Sequence, residues 1–215
     1  MPNNTRIKKG AKMKIERMLN SFVELHLLTK IPRTGWILAG VSNPESVSDH
    51  CYETALFAYM ISKQLDFQVD IKKVLLMALF HEVAEARITD LPRRSKDYIG
   101  KAKRDGESQG LKDILFGLNG VSEEISELLE EMHEKKSPEA RLVEAAEELQ
   151  IIFKALVYAK ENRGDMSEYK IDVSKYDSLG IEPAEKIAKL IGEKLDEYLG
   201  KKPYWAIGYE KQTQS

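Results

Sequence analysis

Cysteine occurs once in the 215 residues, at Cys51, which excludes an internal disulfide and fits a reducing compartment. Long apolar runs are missing as well. No stretch approaches the roughly 20 apolar residues that a membrane-spanning helix needs, and the opening MPNNTRIKKGAKMK has no apolar core behind its charges as a signal peptide would. We therefore expect a cytoplasmic protein with no membrane partner. Charge of one sign is not in excess: 33 basic and 35 acidic residues nearly cancel. Nothing in that balance calls for a nucleic-acid partner, and the ligand is expected to be small. β-Branched alternating runs bounded by turn residues are almost absent, which argues against a sheet.

What is present is helical periodicity, and the fold class is read as all-α. A 42% hydrophobic content is enough to bury a core. We expect a single domain over residues 1–200 and a C-terminal tail over 201–215. Ile15, Met18, Leu19, Phe22, Leu25 and Leu28 recur at helical spacing between about Met13 and Thr29. KIPRTGWILAGVSNPE then reads as a long loop, the kind that carries function in a compact domain. Ser46 or Ser48 can cap a helix through HCYETALFAYMISKQL, and Asp70 can cap IKKVLLMALFHEVAEA, read as one central helix. Ser137-Pro138 opens a second core helix, PEARLVEAAEELQIIFKALVYAK. A polar loop over about 162–177 leads to a final amphipathic helix, Glu182 to Leu199.

Of four histidines, two resist a bland reading. His50 stands at a helix start, and His81 follows an apolar run and precedes Glu82. Imidazole with carboxylate suits a divalent transition metal, Mg²⁺ being less favoured as histidine content rises. On a continuous helix Glu85 lies four residues on and shares the face of His81, and Asp90 follows just past the helix end. One imidazole and three carboxylates in an apolar neighbourhood repel unless a cation is present. The alternative, that Glu82 and Glu85 simply face water, stays open at this point. His26 and His133 read as structural or solvated, and Cys51 as a small buried hydrophobe.

The runs PRTGW (Pro32–Trp36), NPESVSDH ending at His50, and HEVAEARITDLP (His81–Pro92) together resemble the HD-domain superfamily of metal-dependent phosphohydrolases. The similarity is greatest to its 5′-deoxynucleotidase branch of small HD-domain-containing proteins. It covers roughly Thr29 to Pro92 and Arg141 to Ala155. The resemblance implies an HD-domain helical bundle with a central metal site, in which His50, His81, Glu82 and Glu147 hold a divalent cation such as Co²⁺, Mn²⁺ or Mg²⁺. Only the resemblance selects Glu147 over Glu148. It also implies Glu85 and Asp90 as catalytic groups, Arg33 as the phosphate clamp and Trp36 beside the sugar, and Arg93 is positioned to assist Arg33. The implied reaction is release of phosphate from a deoxynucleoside or nucleoside 5′-monophosphate, and the implied assembly is a homodimer.

The chain departs from the family pattern at two ligands, where aspartates are replaced by Glu82 and Glu147. Both changes keep charge and donor atom and lengthen the arm by one methylene, so we read a retained site with altered metal preference. The rival is a degenerate HD protein that binds nucleotide or metal without efficient catalysis. Another HD phosphodiesterase chemistry also stays open, since metal ligands do not encode the leaving group. A metalloprotease is excluded because Glu85 stands where H-E-x-x-H needs its second histidine.

Overall fold

The computed structural model describes residues 4–199, so the tail expected over 201–215 lies outside the described residues. Every element among them is helical: α1 (Asn4–His26), α2 (Thr34–Leu38), α3 (Val47–Ser62), α4 (Ile71–Phe80), α5 (Glu85–Ile88), α6 (Lys96–Ile99), α7 (Lys101–Ile114), α8 (Val121–Glu134), α9 (Pro138–Lys160), α10 (Tyr169–Ser174) and α11 (Glu182–Leu199). Short 3₁₀ turns occupy Leu27–Thr29 and Arg93–Ser95. No helix among the described residues is long and apolar enough to cross a membrane.

Helix α9 is the axis of the bundle, packing against α3, α4, α8 and α11. It begins where Ser137 accepts a hydrogen bond from the Ala140 amide and Pro138 enters the first turn. Its Leu142, Val143, Ala145, Ala146, Leu149 and Ile152 are buried, and they meet Val47, Ala55 and Ala58 of α3 with Val74, Met77 and Ala78 of α4 in one core. Small residues at the crossings let the helix axes approach closely. A second, smaller cluster joins Trp36, Val41, Ala155, Tyr158 and Met166. Gly164 (φ 71°) makes that junction possible, because a Cβ there would stand 2.5 Å from the carbonyl oxygen of Ala39.

Ser46 caps α3 in a reciprocal box with Asp49, and Asp70 caps α4 by accepting from Lys72 and Lys73 amides. Four expectations need correction. The loop after residue 29 contains a helical turn, α2, and the polar loop after 162 contains α10. The stripe on α1 is only partly used: Leu28 is buried beyond its end, while Ile15, Leu19 and Phe22 are more than half exposed. Helix α4 does not run on through Ala86 but stops at Phe80, with His81 as its C-cap.

After that stop the backbone tightens. The Val83, Glu85 and Ala86 amides bond three residues back, to Phe80, Glu82 and Val83. In such turns residues i and i+3 eclipse, so Glu82 and Glu85 share a face through this spacing rather than through the four-residue spacing of an α-helix. The segment ends at Thr89, whose φ of 63° and ψ of 165° are unusual for a β-branched residue. This turn delivers Asp90 to the chain opposite.

Truncating Leu142, which is fully buried, is expected to cost about 3 kcal/mol in denaturant unfolding, as large-to-small changes at packed sites do. Thr89→Gly is expected to raise stability by about 1 kcal/mol, since relief of backbone strain exceeds the entropy a glycine adds to the unfolded chain; a lowered midpoint would show that the Thr89 backbone is unstrained.

Candidate metal centre and phosphate site

One antiparallel bridge, Pro32 with Ser46, ties the strand-like entry of α2 to the start of α3. Its hydrogen bonds run from the Arg33 amide to the Glu45 carbonyl (3.0 Å) and from the Val47 amide to the Ile31 carbonyl (2.9 Å). It sets Arg33 beside the first turn of α3, where His50 is fully buried. From the other side come His81, Glu82 and Glu85, on the end of α4 and the turns after it, and from below comes Glu147 on α9. One donor atom from each of His50, His81, Glu82 and Glu147 lies within 4.8 Å of the others.

The imidazoles face each other, Nε2 to Nε2, at 3.3 Å. The Nδ1 of His81 stands 2.9 Å from the Ala78 carbonyl oxygen, and that of His50 stands 2.6 Å from Oε1 of Gln150. Both partners are acceptors, so both Nδ1 atoms carry the hydrogen, and the two Nε2 atoms point lone pairs into one gap. A proton or a cation must occupy it. Burial pulls down the pKa of both rings; in His50 the charges of Arg33 and His81 add to this, whereas in His81 the Cys51 sulfur, Glu147 and Glu82 outweigh it and raise the value. The opposed directions favour His81 over His50 as the seat of a proton in that gap, and a divalent ion binding there would displace it. The donor set fits such an ion.

The carboxylates point the same way. Burial pushes the Glu85 carboxyl up to about 10, with Glu82 and Asp90 adding to the push. Its Oε2 has no hydrogen-bond partner although it is buried. Burial likewise raises Glu147. Glu82 goes down despite burial, because Arg33 and His81 lie close. A doubly charged cation held in the neighbouring cluster would oppose the push on Glu85 and favour its anion.

Arg33 is the counter-charge. Its Nη1 donates to Asp90 Oδ1 at 2.7 Å and Glu82 Oε1 at 3.0 Å, with Glu85 Oε2 at 3.9 Å. Burial works against its charge, but these carboxylates outweigh it and hold its pKa above the usual value. Both short contacts use Nη1, so the remaining donors of the fork are not committed to these carboxylates. Asp90 is anchored in turn by the Thr34 amide (2.5 Å), and its carbonyl accepts from the Thr34 hydroxyl (2.9 Å).

Two predicted residues stand elsewhere. Trp36 is only 3% exposed. Its ring stacks on Tyr169 and meets Tyr158 edge-on, and its Nε1 donates to Glu45 at 2.7 Å. A ring so enclosed has no face for a sugar, so Trp36 serves as a packing wedge behind Arg33. Arg93 lies at the surface, its side chain 59% exposed and paired with Asp172 at 2.6 Å. Sequence reading missed Gln150, Glu45 and Lys154, which stand behind His50. The signal was there in α9, where Glu147, Gln150 and Lys154 interrupt an apolar helix at intervals that share one face.

The HD-domain family model matches residues 25–188. The chain is 32% identical over 146 residues to a zebrafish (Danio rerio) protein named 5′-deoxynucleotidase HDDC2, the match covering 67% of this chain and 70% of that one. Against the human protein of the same name it is 34% identical over 133 residues, 61% of this chain and 63% of the human one. A crystal structure of a Pyrococcus horikoshii protein superposes with a TM-score of 0.71 at 28% identity, covering 82% of this chain and 99% of the other. With that span matched and His50, His81 and the following acidic residue brought to one buried point, this chain belongs to the HD-domain family.

Proposed function

We propose that this protein is a metal-dependent phosphomonoester hydrolase that releases phosphate from nucleoside 5′-monophosphates, deoxynucleotides foremost, with a divalent cation held by His50, His81, Glu82 and Glu147. The observation that carries the reading is the contiguity of a cation site and an anion site. Two imidazole Nε2 atoms stand 3.3 Å apart, and Glu82 belongs both to their cluster and to the partners of Arg33. The relatives named 5′-deoxynucleotidase support the substrate class and the deoxy sugar; Trp36, being enclosed, adds nothing to the sugar preference.

When bound, the cation supplies Lewis-acid chemistry, drawing charge from a phosphoryl oxygen and making water acidic near neutral pH. Arg33 binds the non-bridging phosphate oxygens, held at the correct height by Asp90, which is itself fixed to Thr34. Glu85, whose Oε2 is buried without a hydrogen-bond partner, takes the proton of the attacking water. The phosphorus–oxygen bond to the sugar breaks and the leaving 5′ oxygen takes up a proton, returned from Glu85 or supplied by solvent, giving nucleoside and inorganic phosphate. Arg93, exposed at the surface, adds to the field that draws the anion in. A site with two imidazoles favours Co²⁺ or Mn²⁺ over Mg²⁺.

Phosphate release from a panel of ribo- and deoxyribonucleoside 5′-monophosphates with each of these three metals tests the proposal. Wild type is expected to turn over only with metal, His81→Ala to show no release, and Arg33→Ala to lose about a hundredfold in kcat/KM. Bound metal with no release from any substrate would instead support the non-catalytic binder. The expected cytoplasmic homodimer belongs to the same proposal, supported by the exposed apolar residues of α1. Light scattering should give about twice the chain mass of 24.5 kDa; a single chain mass at micromolar concentration would refute the dimer.

A further inference from the structure

We propose that Gln150 is a positioning residue for the cation site, holding His50 in the tautomer whose Nε2 is free to bind metal. This rests on the reading of His50 as a metal ligand. A neutral imidazole carries one N–H, and the nitrogen that bears it cannot ligate. The choice between tautomers is made by whatever bonds the other nitrogen, and such partners commonly tune metal affinity.

For His50 that partner is the Gln150 side chain, its Oε1 2.6 Å from Nδ1, both residues being fully buried. An amide oxygen only accepts, so this contact requires Nδ1–H. An amide can be turned over so that its nitrogen replaces its oxygen, and the surroundings decide between the two. Here they decide firmly. Gln150 Nε2 lies 2.8 Å from Glu45 Oε2 and 2.9 Å from Glu53 Oε2. Carboxylates only accept, so a reversed amide would set its oxygen against two anionic oxygens and lose both bonds.

The two carboxylates are fixed in their turn. The Lys154 ammonium, nearly buried, stands 2.8 Å from Glu53 and 3.2 Å from Glu45. Trp36 donates to the other oxygen of Glu45, and the Glu45 amide donates to the Tyr158 hydroxyl at 2.9 Å. Glu45 also offers its carbonyl to the Arg33 amide. The same residue therefore steadies the amide behind His50 and the backbone of the phosphate clamp. His81 obtains its tautomer from the backbone carbonyl of Ala78, which no side-chain substitution removes. The Nδ1 of His50, by contrast, is held by a replaceable side chain.

The test joins nitrogen-resolved NMR of the histidine rings in the metal-free full-length chain to titration with Co²⁺ and Mn²⁺. Metal-free wild type is expected to show His50 protonated at Nδ1. Gln150→Met, close in volume but without an acceptor, is expected to show a tautomer mixture and to bind both ions about 10- to 100-fold more weakly. An Nε2–H signal for His50 in wild type would overturn the inference without any variant, so a misfolded Gln150→Met does not protect it. So would a folded Gln150→Met with Nδ1–H and unchanged affinity. A wild type that binds neither ion would remove the ligand role of His50, and the ring spectra would still decide whether Gln150 sets its tautomer.

Discussion

The bundle is organised around the compensation of buried charge. Glu82, Glu85 and Asp90 converge on one guanidinium, and Glu147 stands on the far side of two imidazoles. Removing a carboxylate from water costs several kcal/mol unless a counter-charge or hydrogen bonds replace the solvent. Arg33 meets that requirement on one flank. Beyond its reach, the gap between the His50 and His81 Nε2 atoms, 3.3 Å apart, and the burial-raised carboxyl of Glu147 leave a place for positive charge. A fold that keeps such a place in its centre is built for a ligand rather than for maximal stability.

The rest of the architecture serves that centre. Helix α9 supplies apolar residues to the core on most of its surface and one polar face, where Glu147, Gln150, Lys154 and Tyr158 follow one another. Helix α3 brings His50 from its first turn, where the cap at Ser46 and the bridge to Pro32 fix the entry angle. Helix α4 ends one residue before His81, so His81 and Glu82 sit on a tightened turn, and the turn ends at Thr89, whose φ is 63°. The polar networks on the two sides of the cluster meet in the segment from Arg33 to Glu45. One face of that segment pairs Arg33 with Asp90, while the other fixes Gln150 through Glu45.

Glu82 and Glu147 stand where the resemblance to the HD-domain superfamily implies aspartates. A longer arm at Glu82 reaches Arg33 at 3.0 Å while keeping an oxygen in the cluster. Glu82 therefore joins the His50–His81 cluster to Arg33. At Glu147 the extra methylene still brings an oxygen to 3.9 Å from His81 Nε2. Both departures are compatible with a cluster that closes on a cation.

By itself the sequence determined the helical class and most helix starts, because apolar spacing and capping side chains are local properties of the chain, and it singled out His50 and His81; Glu147 came only from the resemblance. Where α4 would stop was not legible: an apolar run followed by His-Glu continues a helix on propensity alone, whereas in the folded chain the α-helix gives way after Phe80 to turns bonded three residues back. Trp36 looked like a ligand contact because its motif stands beside Arg33, yet Tyr158 and Tyr169, more than 120 residues away in the chain, enclose it. The polar stripe of α9 marked Gln150 as a residue to watch, but its bond to His50, joining positions 100 residues apart, was hidden. Such contacts depend on how helices cross, and side chains buried at a crossing take their roles from neighbours that only the folded chain provides.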